Sequence, residues 1–201
     1  MKRRPVLDAG LPDQGFSHHA PFWWGSTLMI TMEGAGFAIL IVTYFYIRRN
    51  FNAWPPPRTP LPELGASTLN VAVLVVSILP MWYVVKLAQN HGKSRLIGVG
   101  LLLCVLFGIV AAVLRILEFI GVHARWDTNA YGAIVWSILA VHFAHIIAAT
   151  LETLIIAVFV LAGPVEGQHV GDISANAVYW YFVALSWVAL YTIVFLTPRF
   201  L

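Results

Sequence analysis

The sequence predicts an all-α integral membrane protein whose five transmembrane helices form one bundle. Three observations predict it. The 201-residue chain is 60% hydrophobic and only 10% charged, where a soluble domain carries about 25% charged residues. Its mean hydropathy is +0.81. Its apolar residues fall into five runs, each close to or beyond the ~20 residues that cross a hydrocarbon core about 30 Å thick. Such runs must be helical, because in lipid a helix satisfies its own backbone N–H and C=O groups.

Residues 1–21 form a polar N-terminal tail. It contains no apolar segment, so it does not read as a cleaved signal peptide. The first span, about 22–47, ends at "RRNFNAWPPPRTPLPELG", a proline-rich loop that cannot continue a helix. The second, about 67–87, contains Pro80 and is expected to kink there. The turn signals of "AQNHGKSR" separate it from the third, about 96–121. "HARWDTN" leads into the fourth, about 131–162, which exceeds the core thickness and is expected to tilt or protrude. "AGPVEGQHVGD" precedes the fifth, about 174–197. No internal repeat or low-complexity segment is present, so residues 1–201 read as a single membrane domain.

Orientation follows from the basic residues flanking the spans. One side carries Lys2, Arg3, Arg4, Lys86, Lys93 and Arg95, the other Arg48, Arg49, Arg58, Arg125 and Arg199. Cytoplasmic segments are enriched in Lys and Arg. The dense N-terminal cluster therefore favours the N-terminus inside, and five spans then put the C-terminus outside. The net charge of +3 comes from these membrane-flanking residues, so no nucleic-acid partner is expected. The one cysteine, Cys104, rules out a disulfide framework, a CxxC pair and a zinc cluster.

Six ionisable residues fall inside spans: Glu33, Arg115, Glu118, His142, His145 and Glu152. A charge at the bilayer centre costs about 2.5–3.5 kcal/mol on insertion scales, so such residues face the bundle interior and pair. Arg115 and Glu118 are three apart and can meet on one helix face. Steps of three and seven residues put His142, His145 and Glu152 on one stripe. Glu33 has no partner nearby in sequence, and an isolated carboxylate in an apolar site favours its neutral form. The six can form a structural interhelical network, or they can serve as a proton relay or a lipid-headgroup site. Only His142 and His145 lie well inside a span, both on one helix, so facing haem ligands are lacking. A thiolate-bridged copper site needs more than one cysteine. A carboxylate-bridged di-iron site from Glu33, Glu118, Glu152 and His145 lacks the paired Glu-x-x-His motifs. No catalytic, cofactor-binding or metal-ligating residue is therefore assigned.

Four segments resemble one family, subunit III of haem–copper oxidases. "PFWWGSTLMITMEGAGFAILIVTYFYIRRNFNAWPPP", with Trp24 and Gly25, is similar to the start of that family's third helix and puts Glu33 at its intramembrane glutamate. "LRILEF" resembles the stretch with a polar residue three before a glutamate, here Arg115 and Glu118. "DTNAYGAIVWSILAVHFAHIIAATLET" resembles the Tyr-Gly and His-x-x-His helix, carried by Tyr131, Gly132, His142 and His145. "AVYWYFVALSWVALYTIVF" resembles the last helix, with Trp180 and Trp187. The resemblance spans about residues 21–197 and matches the five-helix form without the first two helices.

The resemblance implies a non-catalytic subunit of a respiratory terminal oxidase, with cytochrome c or quinol as electron donor. It implies catalytic subunit I and the other oxidase subunits as partners, together with membrane lipids. Haem and copper would reside in those partner subunits and phospholipid would bind this chain. Glu33 would be protonatable or lipid-proximal, supporting proton uptake. The location implied is a bacterial inner membrane. The chain also departs from the family. The last helix usually reads Trp-His-Phe-Val-Asp, whereas Trp180, Tyr181, Phe182, Val183 and Ala184 stand here. Phe143 and Ala148 replace glycines near the paired histidines. These departures leave room for a branch that accompanies nitric oxide reductases. A small proton-conducting transporter and a membrane enzyme with a metal on the polar stripe are the rivals from other classes.

Overall fold

The computed structural model describes residues 21–90, 92–163 and 167–200. The polar tail with Lys2, Arg3, Arg4, His18 and His19 lies outside the described residues, as do His91 and Glu166. The described residues are all helical apart from turns and loops. Helix α1 is Pro21–Arg48, α2 Gly65–Gln89, α3 Ser94–Gly121 and α4 Ala130–Ala162. Helix α5 is Gly167–Tyr191 and runs on through a π-helical turn, Thr192–Leu196, into a last helical turn, Thr197–Phe200. Five helices are long and apolar enough to cross a membrane.

Local chemistry accounts for the ends. Asn129 precedes α4 and its side chain accepts the Gly132 N–H at 2.7 Å, satisfying a donor that has no partner within the helix. Gly132 is required for packing. A Cβ there would lie 2.1 Å from the Arg125 carbonyl oxygen. The π turn in the last span has a cause in Pro198, which lacks the N–H that an α-helix would give to Val194. Pro80 does not break α2, which is continuous through it.

Helices α2, α3, α4 and α5 close into a ring of neighbours, α3 between α2 and α4, and α5 between α4 and α2. Helix α1 lies outside this ring, against α4 and α5. It buries only Phe37 and Tyr44. Where α3 crosses α4, a Cβ on Gly108 would meet Thr150 Oγ1 at 2.1 Å, so a small residue is what lets the two backbones approach.

One end of the bundle is tied together by its loops. The Glu63 N–H donates to the Gly121 carbonyl at 2.9 Å. Asn129 Nδ2 donates to Thr59 Oγ1 at 3.3 Å. Trp136 Nε1 donates to the Ala124 carbonyl at 2.6 Å. Arg199 donates to the Pro62 carbonyl. Trp54, from the proline-rich loop, sits edge-on between Tyr44 and Tyr131, with ring centroids 5.3 and 5.0 Å away. Its Nε1–H donates to Tyr44 Oη at 2.7 Å.

Candidate functional site

The centre of the ring holds a buried polar network that joins four helices. Arg115 of α3 is fully buried. Its Nη1 donates to Glu118 one turn on, and its Nη2 donates to His142 Nδ1 of α4 at 2.8 Å. The other Glu118 oxygen accepts from Asn70 Nδ2 of α2 at 2.7 Å. His142 Nε2 lies 2.9 Å from the Val183 carbonyl of α5. Roles follow from the chemistry of the groups. A guanidinium only donates and a carbonyl only accepts. His142 Nδ1 must therefore carry the lone pair and Nε2 the hydrogen, which makes this imidazole neutral. Trp187 of α5 closes the site, its ring centroid 3.5 Å from Arg115 Cζ, a cation–π contact in a desolvated setting. One buried cation and one buried anion leave the network without net charge.

A second polar pair lies at the seam of α1 with α4. His145 Nε2 is 3.6 Å from Glu33 Oε2. Their side chains are 16% and 23% exposed, so the pair sits between the core and the outer surface. His145 Nδ1 lies 2.6 Å from the Val141 carbonyl, one turn back, and must donate to it. Nε2 is thereby left facing the Glu33 carboxyl across the seam. Phe37 packs over His145 at 4.9 Å.

Two expectations from the sequence are corrected here. Glu33 is not isolated, since His145 faces it across the helix seam. The stripe of His142, His145 and Glu152 divides into three environments. His142 is buried, His145 is half-buried and Glu152 is exposed. The reason is rotation. At 100° per residue, His145 and Glu152 stand about 60° and 80° round from His142, which turns both off the interior, and Phe37 and Glu33 of α1 then partly cover His145.

The other motif residues have structural places. Trp180 Nε1 donates to Ser77 Oγ of α2 at 2.9 Å. Tyr131 is buried against Trp54. Trp24 is exposed on α1, edge-on to Trp23 at 5.1 Å, and Gly25 has open space where a Cβ would stand. Sequence reasoning missed Asn70, which is as central to the network as Glu118. A lone amide within the second apolar run was the available signal. Among the described residues, no three His, Cys, Asp or Glu side chains gather in a metal-binding group.

No family model matches the chain. It is similar over most of its length to proteins named cytochrome c oxidase subunit 3. The Synechocystis sp. protein is 24% identical over 196 residues, covering 92% of this chain and 81% of its own length. That of Spodoptera frugiperda is 26% identical over 139 residues, covering 69% of this chain and 94% of that protein. That of Pongo pygmaeus is 29% identical over 144 residues, covering 71% of this chain and 54% of that protein.

Proposed function

We propose that this cytochrome c oxidase subunit III-like chain is a non-catalytic membrane subunit of a respiratory haem–copper terminal oxidase. It sits in a bacterial inner membrane beside catalytic subunit I, N-terminus inside and C-terminus outside. Haem and copper belong to the partner subunits, and phospholipid covers this chain's outer clefts. The observation that carries the reading is the engagement of both histidines of α4. Both ring nitrogens of His142 are in hydrogen bonds. His145 uses Nδ1 on its own helix and turns Nε2 to Glu33. His142 offers no open nitrogen to an axial iron site, and Glu33 and His145 place an acid and an imidazole face to face within a span. The chain therefore stabilises its neighbour and supports proton uptake, and electrons pass elsewhere.

Oxygen consumption of the reconstituted complex from about pH 6 to about pH 9, with and without this subunit, tests the reading. Removing the chain should leave the haem spectra nearly unchanged. Turnover should fall modestly at the acid end, where protons are abundant, and further as pH rises. The variant Glu33→Gln keeps the shape of a neutral acid but cannot exchange a proton, so it should reproduce part of that defect. A complete loss of turnover at every pH would show instead that the chain carries an essential catalytic element.

A further inference from the structure

The seam between α4 and α5 carries a second tier of ionisable groups beside the Glu33–His145 pair. The two helices run antiparallel, and three contacts fix their register. His142 Nε2 meets the Val183 carbonyl at 2.9 Å, the rings of His145 and Tyr179 stand 6.5 Å apart, and Thr153 Oγ1 donates to Asn176 Oδ1 at 3.1 Å. Seven residues return a helical side chain to within about 20° of its starting direction. Glu152, seven past His145, therefore keeps to the α1 side of α4. Asp172, seven before Tyr179 on the antiparallel helix, stands level with it. The row so formed has two rungs, Tyr179 with His145 and Glu33, and Asp172 with Glu152, about 10 Å apart at 1.5 Å per residue.

The rungs are coupled. Asp172 acts electrostatically on Glu152, and Glu33 and Glu152 both act on the Tyr179 hydroxyl. Helical side chains lean toward the N-terminus of their own helix. Between antiparallel neighbours this tilts Glu152 toward the Tyr179 rung and Tyr179 toward Glu152, which narrows the gap from both sides. Asn176 lies between the rungs on α5, four residues past Asp172 and three before Tyr179. It is fully buried, and among the described residues neither its Nδ2 nor Glu33 Oε2 has a hydrogen-bond partner. Ordered water is what satisfies such groups in folded proteins. The upper rung lies at the midpoint of α4 and the lower about 9 Å from it, with His169 one turn further at about 14 Å. A hydrocarbon core has a half-thickness of about 15 Å, so the row runs from one membrane boundary to the centre. In the orientation proposed above, that boundary is the inner one.

We propose that Asp172 and Glu152, with the Tyr179 hydroxyl and water held at Asn176, form an inward-opening proton path that ends at Glu33. Rows of intramembrane acids serve as proton relays. Each transfer breaks one O–H bond and makes another, so the row is restored once the proton has passed on. The proposal rests on reading this chain as a subunit that supports proton uptake, and it names where those protons enter.

The test is oxygen consumption by the reconstituted complex from about pH 6 to about pH 9. Asp172→Asn and Glu152→Gln should each lower turnover about threefold or more at the alkaline end and little at the acid end. Asp172→Glu restores a carboxyl and should restore the rate. Asn176→Leu removes no ionisable group yet should reproduce the alkaline loss. Glu152→Gln added to Glu33→Gln should do no further harm, because the two act in one path. Glu63→Gln, an acid at the other end of the bundle, should change nothing. Haem content and melting temperature verify that each variant has folded and assembled. Equal losses at every pH would make these residues structural, and losses that multiply in the double variant would place them on separate routes; either overturns the proposal. If Glu33→Gln is impaired while Asp172→Asn and Glu152→Gln behave as wild type, only the path falls. If removing the whole chain leaves the pH profile unchanged, the proton-uptake reading falls with it.

Discussion

Arg115 is the residue on which the interior turns, because its three contacts come from three helices. Replacing it with methionine strands the Glu118 carboxylate in the core with Asn70 alone. Breaking one side of a buried ion pair costs about 3–5 kcal/mol, so Arg115→Met should markedly lower the melting temperature in mild detergent. The double variant Arg115→Met, Glu118→Leu leaves no charge behind and should recover a large part of the loss. Simple addition of the two single effects would show that the residues do not act as a pair. A second expectation concerns Glu33. A hydrophobic carbodiimide requires a protonated carboxyl, and a basic imidazole facing Glu33 competes with it for a proton. His145→Ala should speed modification of Glu33, and Glu33 should react ahead of the exposed Glu63. Equal rates at Glu33 and Glu63 would show that the apolar surround does not favour reaction at Glu33. The six intramembrane ionisable residues were legible as a set, since each interrupts an apolar run. Their partners were not. Spacing within one helix finds Arg115 with Glu118, but Asn70 and the facing of Glu33 by His145 depend on how separate helices are turned against each other.

At the scale of elements, length and hydropathy settled the helices and left their seams open. Each apolar run became a helix because lipid allows no other backbone solution. The proline-rich loop after α1 was read correctly as a break, but nothing in its pattern showed that Trp54 would fold back between Tyr44 and Tyr131. Glycines show the same division. A methyl group on Gly36 would have no neighbour within 4 Å, whereas one on Gly132 or Gly108 would have a neighbour at 2.1 Å. Gly36→Ala should therefore be neutral. Gly132→Ala drives a methyl into a backbone carbonyl that cannot move aside and should cost about 1–3 kcal/mol. Gly108→Ala meets only the Thr150 side chain, so adding Thr150→Ala should rescue part of its loss. Thermal unfolding of the purified variants in one detergent ranks all four. A Gly132→Ala variant as stable as wild type would mean that the α4 entry turn is looser than its contacts indicate.

For the whole molecule, the two ends of the bundle differ in construction, and this bears on how it sits in the membrane. The end formed by residues 49–64, 122–129 and the last helical turn is tied by hydrogen bonds between loops, including Thr59 with Asn129 and Pro62 with Arg199. It also carries Arg48, Arg49, Arg58, Arg125 and Arg199. The opposite end has Lys86, Lys93 and Arg95, to which the N-terminal Lys2, Arg3 and Arg4 add in sequence. Charge alone nearly balances, and the proposed orientation, with that opposite end inside, rests on the N-terminal cluster. At the tied end, Arg125 is engaged with Asp127 and Arg199 with the Pro62 carbonyl. Single cysteines introduced as Lys93→Cys and Asp127→Cys, in a chain whose buried Cys104 is replaced by alanine, test the proposed orientation directly. A membrane-impermeant thiol reagent added to intact cells should label position 127 at once and position 93 only after permeabilisation. The reverse order would place the N-terminus outside. Labelling of both positions from one face would contradict the odd number of crossings, because α3 alone separates the two sites.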